Sequence, residues 1–238
     1  MTDRKPTRRD RPADPEGEAE AQGRDSAWQD VLPRRSELRQ MKREVLLRRA
    51  AAAFNRRGFH ATSLEQIANS LGITKTALYY YFPNKHALLT AAFLEALRVA
   101  FDSLERGRAE GGSGLERLQL AIQFYLEQSL GDLTLGLILT EEHALLPEDR
   151  AVVVERRDRY EAELRALVRE GIEDGSIVPC DPKLAIFSIF GAVNWVPKWF
   201  SERGAWSNRQ LAGAMSRLLC RSIARNPAPT LDTDIAAT

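Results

Sequence analysis

Between residues 36 and 225 the apolar side chains recur at helical spacing, and each run is closed by a glycine, a proline or a capping pair. A half-buried strand would alternate apolar and polar residues, and no segment does so, which points away from any sheet. In the first run Leu46, Ala50, Ala53 and Phe54 share one face, with Arg43, Arg48, Arg49, Arg56 and Arg57 elsewhere around the axis. Gly58 ends that helix as a C-cap. Ser63 and Gln66 form a capping box ahead of the stripe Leu64, Ile67, Ala68 and Leu71, and Gly72 stops this second helix. Thr74 caps a short third helix in which Leu78 can staple back onto Ile73. Asn84 caps a fourth, running through Leu88, Leu89, Ala92, Phe93, Ala96, Leu97 and Phe101 to the Gly111-Gly112-Ser113-Gly114 loop. Five more helices are expected over about 115–130, 133–146, 148–174, 182–200 and 208–225, the last two opened by Asp181-Pro182 and by the Ser207/Gln210 capping box. The chain is expected to be all-α, with about nine helices and no internal repeat.

Charge divides this helical chain more sharply than its total suggests. The 238 residues carry a net charge of +1, but residues 34–86 hold eleven basic and three acidic side chains, whereas residues 87–238 hold 17 and 22. A small basic segment joined to an acidic body suits a nucleic-acid reader attached to a part that does not bind nucleic acid. Residues 1–33, rich in Pro, Gly and charge with no periodicity, read as a disordered arm. Its Arg8, Arg9 and Arg11 either touch a phosphate backbone or belong to a plain solvated tail. The expected organisation is that arm, a helix-turn-helix domain over 34–86, a ligand-binding and dimerisation domain over 87–226, and a flexible tail over 227–238. At 44% hydrophobic residues the chain can bury a sizeable core. Cys180 and Cys220 have no second ligand nearby and read as buried thiols of a reducing cytoplasm. No apolar run is long enough to span a membrane and no leader-like segment opens the sequence, so a cytoplasmic protein without membrane partners is expected.

The chemistry-bearing stretch runs from Thr62 to Lys85. With Ala77, Leu78 and Phe82 turned inward, Thr74, Lys75, Thr76, Tyr79 and Tyr80 occupy the outward, N-terminal part of the third helix. Thr and Lys can bond base edges or phosphates, Thr methyls and Tyr rings can pack on thymine methyls, and a Tyr hydroxyl can anchor a phosphate. A helix-turn-helix reads the major groove with these N-terminal positions of its second helix.

These residues, together with Phe54, Gly58 and Phe59, resemble the DNA-binding domain of TetR-family transcriptional regulators over about residues 40–90. The Thr62-Ser63 entry, the Ile67-Ala68 pair, Gly72, the run from Leu78 to Phe82 and Lys85 occur in register. The resemblance assigns Thr62 and Ser63 to phosphate contacts at the start of helix two, Thr74, Lys75, Thr76, Tyr79 and Tyr80 to the recognition helix, and Lys85 to a phosphate near helix four. Many members have His where Tyr81 stands, which leaves Tyr81 between phosphate contact and inward packing.

The remaining two thirds is similar, more weakly, to the branch that senses acyl-CoA thioesters, through the Arg156–Glu161 stretch and the Gly191–Phe200 stretch. That similarity implies a homodimeric, ligand-responsive repressor of a palindromic operator, with an apolar or acyl-CoA-like small-molecule effector. Phe124, Ile138, Trp195 and Trp199 would serve as pocket walls, with Asn194, Tyr160 and Arg157 as the few polar groups. An aromatic stripe on a buried helix is more often packing, and Arg156, Arg157 and Arg159, beside Glu155 and Glu161, more commonly a solvated face. The helix over about 182–200 is apolar nearly all round and is expected to be buried, to pair with 208–225 in a four-helix interface between two chains, and to kink or end near Pro197. A drug- or metabolite-sensing repressor of the same fold is the alternative. An enzyme acting on acyl thioesters finds no support, because the three His and the lack of a Gly-x-Ser-x-Gly elbow give no catalytic constellation. Glu141, Glu142 and His143 are sequential and do not share a helix face, so no metal site is expected, nor any cofactor. A non-specific nucleoid binder would need basic residues beyond the first third, where the balance is acidic.

Overall fold

The computed structural model describes residues 34–132, 142–201 and 204–227. The expected arm, most of the expected helix over 133–146, the candidate wall residue Ile138 and all of the tail but Pro227 lie outside them. Contacts divide the chain into one unit ending at Glu44 and another beginning at Val45. In the first, the described residues are tied locally by Arg34 N–H donating to Glu37 at 2.9 Å and the Gln40 amide donating to Glu44 at 2.9 Å.

Eight α-helices are present among the described residues: α1 (Arg35–Arg57), α2 (Leu64–Ser70), α3 (Lys75–Tyr81), α4 (Lys85–Glu110), α5 (Gly114–Asp132), α6 (Pro147–Glu173), α7 (Pro182–Trp195) and α8 (Asn208–Arg221). Of the expected segment 133–146, the described part forms a short 3-10 turn, Glu142–Ala144. No strand occurs among the described residues; one isolated antiparallel bridge pairs Ile177 with Ala224.

The local signals act as the sequence suggests. Ser63 and Gln66 close a reciprocal capping box on α2, Thr74 accepts from the Ala77 amide at the start of α3, Asn84 caps α4, and Ser207 with Gln210 caps α8. Gly72 adopts φ +65°, and the paired bonds from Gly72 N–H to Asn69 O and from Ile73 N–H to Ala68 O close a Schellman turn. That turn lets α3 begin two residues later, which sets the α2–α3 angle.

Within the second unit, two hydrophobic clusters meet along α4. One joins Phe54 of α1, Ile67 of α2, Leu78 of α3 and Leu88, Leu89 and Phe93 of the first half of α4, with Ala144, Leu145 and Val153 added from beyond. The other joins Ala100 and Leu104 of the second half of α4 to α5, α6, α7 and α8. Each fully buried Leu or Phe contributes about 1.5–3 kcal/mol, so α4 is held rigidly at both ends.

One expectation is corrected. α7 is not buried all round: within the chain Leu184 is 67%, Phe187 50% and Trp195 61% exposed, and Gly191 faces open space. Only Ala185, Ile186, Ile189 and Val193 enter the core, because α7 packs on the body by a single face. The helix ends at Trp195 and a 3-10 turn, Val196–Lys198, follows with Pro197 in it, within the window expected for the kink or end.

Candidate functional site

The outward face of α3 is built from its cap inward. Thr74 supplies its oxygen to the Ala77 amide at 3.1 Å, and Leu78, fully buried, pins the opposite side of the helix to the core. One turn fixed at both ends leaves Lys75, Thr76, Tyr79 and Tyr80 exposed, the tyrosines by 44% and 66%. The Lys75 ammonium lies 5.9 Å from the Tyr79 ring centroid, and Tyr80 meets Tyr81 edge-on at 5.3 Å. Tyr81 itself packs half-buried against the first cluster, which favours the inward of its two readings.

A shallow depression runs between α2 and α3, lined by His60, Ser63, Gln66, Lys75, Tyr79 and Lys85. It brings together five of the candidate contact residues, Ser63, Lys75, Tyr79 and Lys85 with Thr62 almost wholly buried beneath them; Thr74, Thr76 and Tyr80 are exposed outside it. Lys85 is half-buried, donates to Thr62 O at 2.8 Å and to His60 O at 3.4 Å, and sits 4.2 Å over the Phe59 ring. Its charge is thereby held beside the α2 N-terminus, where N–H groups already favour an anion.

Thr62 is a correction. It is 1% exposed, and its hydroxyl donates to Gly58 O at 2.9 Å and Ala53 O at 3.3 Å. That side chain ties the α1 C-terminus to the α2 entry and does not present its hydroxyl to a phosphate.

A second site lies between α4, α5, α6 and α7. Its cavity, of about 150 Å³, is walled by Leu97 and Ala100 of α4, Tyr125 of α5, Arg157, Tyr160, Glu161 and Leu164 of α6, and Ile186, Phe187, Phe190 and Asn194 of α7. The candidate polar residues Arg157, Tyr160 and Asn194 all line it. The candidate walls among the described residues do not: Phe124 is buried beneath the Arg106 guanidinium, 3.7 Å from its ring centroid, and Trp195 and Trp199 are more than half exposed. Helical phase explains this, since Asn194 faces the cavity and its neighbour Trp195 is rotated about 100° away.

Electrostatics inside the cavity are modest. Burial raises the Tyr125 and Tyr160 hydroxyls well above the ordinary phenol range, the second also through its proximity to the first, so both stay protonated donors near neutrality. Arg157 is paired with Glu142 at 2.6 Å, and Arg150 reaches the same carboxylate at 3.2 Å. Glu142 directly precedes His143, Ala144 and Leu145, the last two of which belong to the cluster around α1–α4. The walls Leu97, Ala100, Tyr125, Ile186 and Phe190 were not singled out from sequence; their apolar periodicity is that of any core residue, and only three-dimensional packing separates the two.

Two family models match this chain: "Bacterial regulatory proteins, tetR family" over residues 46–92 and "Tetracyclin repressor-like, C-terminal domain" over residues 111–223. The chain belongs to the TetR family. The HTH-type transcriptional regulator RutR of Escherichia coli K12 is 31% identical over 162 residues, 67% of this chain and 75% of that protein. Among solved structures, the TetR-family regulator PfmR from Thermus thermophilus is 30% identical with a TM-score of 0.66, covering 74% of this chain and 97% of its own. AibR in complex with isovaleryl coenzyme A and operator DNA is 28% identical with a TM-score of 0.63, covering 74% and 96%. TetR regulators bind operator DNA and small-molecule effectors and act as dimers; these relatives are transcriptional regulators, not enzymes. No helix among the described residues is long and apolar enough to cross a membrane.

The α3 face yields a direct expectation. Tyr79→Ala or Lys75→Ala should weaken operator binding by about 1–3 kcal/mol while leaving the melting temperature unchanged, because both side chains stand off the core. Leu78→Ala should instead lower the melting temperature. Gel-shift titration and thermal melts on the three variants check this; a Tyr79→Ala protein that melts like Leu78→Ala would place Tyr79 in the core.

Proposed function

We propose that this TetR-family regulator is a dimeric repressor whose palindromic operator is read by Ser63, Thr74, Lys75, Thr76, Tyr79, Tyr80 and Lys85, and that an acyl-CoA-like effector in the α4–α7 cavity controls its hold on that operator. Residues 34–86 form the reader and residues 87–226 the effector and dimer part, acting in the cytoplasm with the DNA. The observation that carries the effector reading is the cavity itself: mostly apolar walls with Arg157, Tyr160 and Asn194 as placed polar groups, which suits an acyl chain with a polar end. The AibR complex, which holds isovaleryl coenzyme A and operator DNA together, supports it. α4 gives the route of coupling, since Leu97 and Ala100 wall the cavity while Leu88, Leu89 and Phe93 hold the α1–α3 core.

The exposed apolar face of α7, with Leu218 of α8 at 50% exposure, suits the surface that a second copy covers. Two copies place two recognition helices in successive major grooves, and an effector acts by binding one spacing of those helices better than the other.

Acyl-CoAs, sterol-derived CoA thioesters and free acids titrated against the protein–operator complex test this. The effector should change operator affinity about 5- to 150-fold, and operator DNA should change effector affinity by the same factor. Glu161 among the cavity residues favours the second reading, a drug sensor: if only a flat cationic compound shifts DNA binding, that reading replaces the first.

A further inference from the structure

Tyr160 is 7% exposed, lines the α4–α7 cavity, and has a hydroxyl without a hydrogen-bond partner. Tyr125, on the facing helix of the same cavity, differs: its hydroxyl is paired with Ser129. The Tyr160 ring is fixed by edge contacts to Phe101 at 5.4 Å and Phe190 at 6.0 Å, so the orphaned hydroxyl cannot swing to water. Folding leaves buried donors unpaired only rarely, because an unmade bond destabilises the free protein. Burial also keeps this phenol protonated, so what it lacks is an acceptor. Arg157, the strongest donor nearby, already answers Glu142.

Size narrows the guest. A cavity of about 150 Å³ lined mostly by apolar side chains accommodates a benzene-sized group, roughly six carbons. A sterol ring system or a long acyl chain exceeds it severalfold.

We propose that the Tyr160 hydroxyl donates a hydrogen bond to the carbonyl oxygen of a short acyl group, of at most roughly six carbons, seated in this cavity. The inference rests on the acyl-effector reading above and adds to it the anchoring atom and the size limit. The ligand class is thus a short-chain acyl thioester, and Tyr160 distinguishes it from an alkyl group of the same shape.

The test compares isovaleryl-CoA with S-isopentyl-CoA, in which a methylene replaces the carbonyl, and with palmitoyl-CoA, by calorimetry on the full-length wild-type protein and on Tyr160→Phe. The wild type should bind the thioester roughly tenfold tighter than the thioether, and palmitoyl-CoA more weakly than either. Tyr160→Phe should bind thioester and thioether alike, and without ligand should melt at or above the wild-type temperature, because an unpaired buried hydroxyl has been removed. Equal wild-type binding of thioester and thioether overturns the inference, as does a Tyr160→Phe protein that keeps the tenfold preference; the acyl reading survives both. Tighter binding of palmitoyl-CoA overturns the size limit. A wild-type protein that binds no acyl-CoA overturns the acyl reading itself. The wild-type comparison decides even if the variant folds poorly.

Discussion

Operator binding should weaken on the order of a thousandfold when salt is raised from about 50 to about 200 mM, the consequence of neutralising about six phosphates per dimer. The reason lies in how charge is distributed. Residues 34–86 hold eleven basic side chains against three acidic, and the surface that carries Ser63, Lys75, Tyr79 and Lys85 presents part of that excess beside the α2 N-terminus. Each phosphate met by a cation releases condensed counterions, and the slope of log K against log salt counts them at about 0.9 per contact on duplex DNA. The acidic remainder, 22 acidic residues against 17 basic, repels the duplex and confines contact to the reader. Fluorescence anisotropy on a selected operator at five salt concentrations gives the slope. A value near zero would sink the DNA-interface assignment.

Local signals carried most of the fold. Ser63, Thr74, Asn84 and Ser207 declare helix starts because a capping hydroxyl or amide acts within three residues of itself, and Gly58, Gly72 and Gly175 mark turns because their positive φ is intrinsic to glycine. The exposed face of α3 was legible for the same reason: once Leu78 and Phe82 are inside, helical phase puts Lys75 and Tyr79 outside. Partnerships between distant elements were not. Thr62 looks like a solvent-facing entry residue until the carbonyls of Ala53 and Gly58 are seen beneath it. Trp195 looks like a pocket wall until its phase on α7 is fixed by Ile189 and Val193, and Trp199 until α7 is seen to end before it. Tyr125 and Phe190 carry no mark that separates a cavity wall from a packed core residue.

The largest change in stability should come from a residue that the sequence presents as loop. Gly114 closes the Gly111-Gly112-Ser113-Gly114 run, yet it is buried and begins α5 where that helix crosses α6 at Gly171. A β-carbon on Gly114 would lie 2.2 Å from the Gly171 amide nitrogen and 2.5 Å from its Cα, both backbone atoms. Neither can rotate aside, and α5 cannot slide away freely: the Gly114 amide donates to Asp174 at 2.7 Å and the Leu115 amide to Ser176 at 3.2 Å. Hydrogen bonds from Ser176 and from the Gly114 amide also hold the Asp174 carboxyl below its usual range. Gly114→Ala should therefore destabilise the protein by about 3 kcal/mol or more, which for a domain of this size corresponds to roughly 6–12 °C in melting temperature at fixed protein concentration. Gly191→Ala, with open space around its position in α7, provides the contrast and should leave the monomer fold as stable or slightly more so. Because α5 contributes Tyr125 and α6 contributes Arg157 and Tyr160 to one cavity, the shift forced at Gly114 should also weaken effector binding in whatever fraction remains folded. Thermal melts of the two variants decide the matter: a Gly114→Ala protein within about 2 °C of wild type would show that the α5–α6 crossing can open without cost, and the spacing argument would fall.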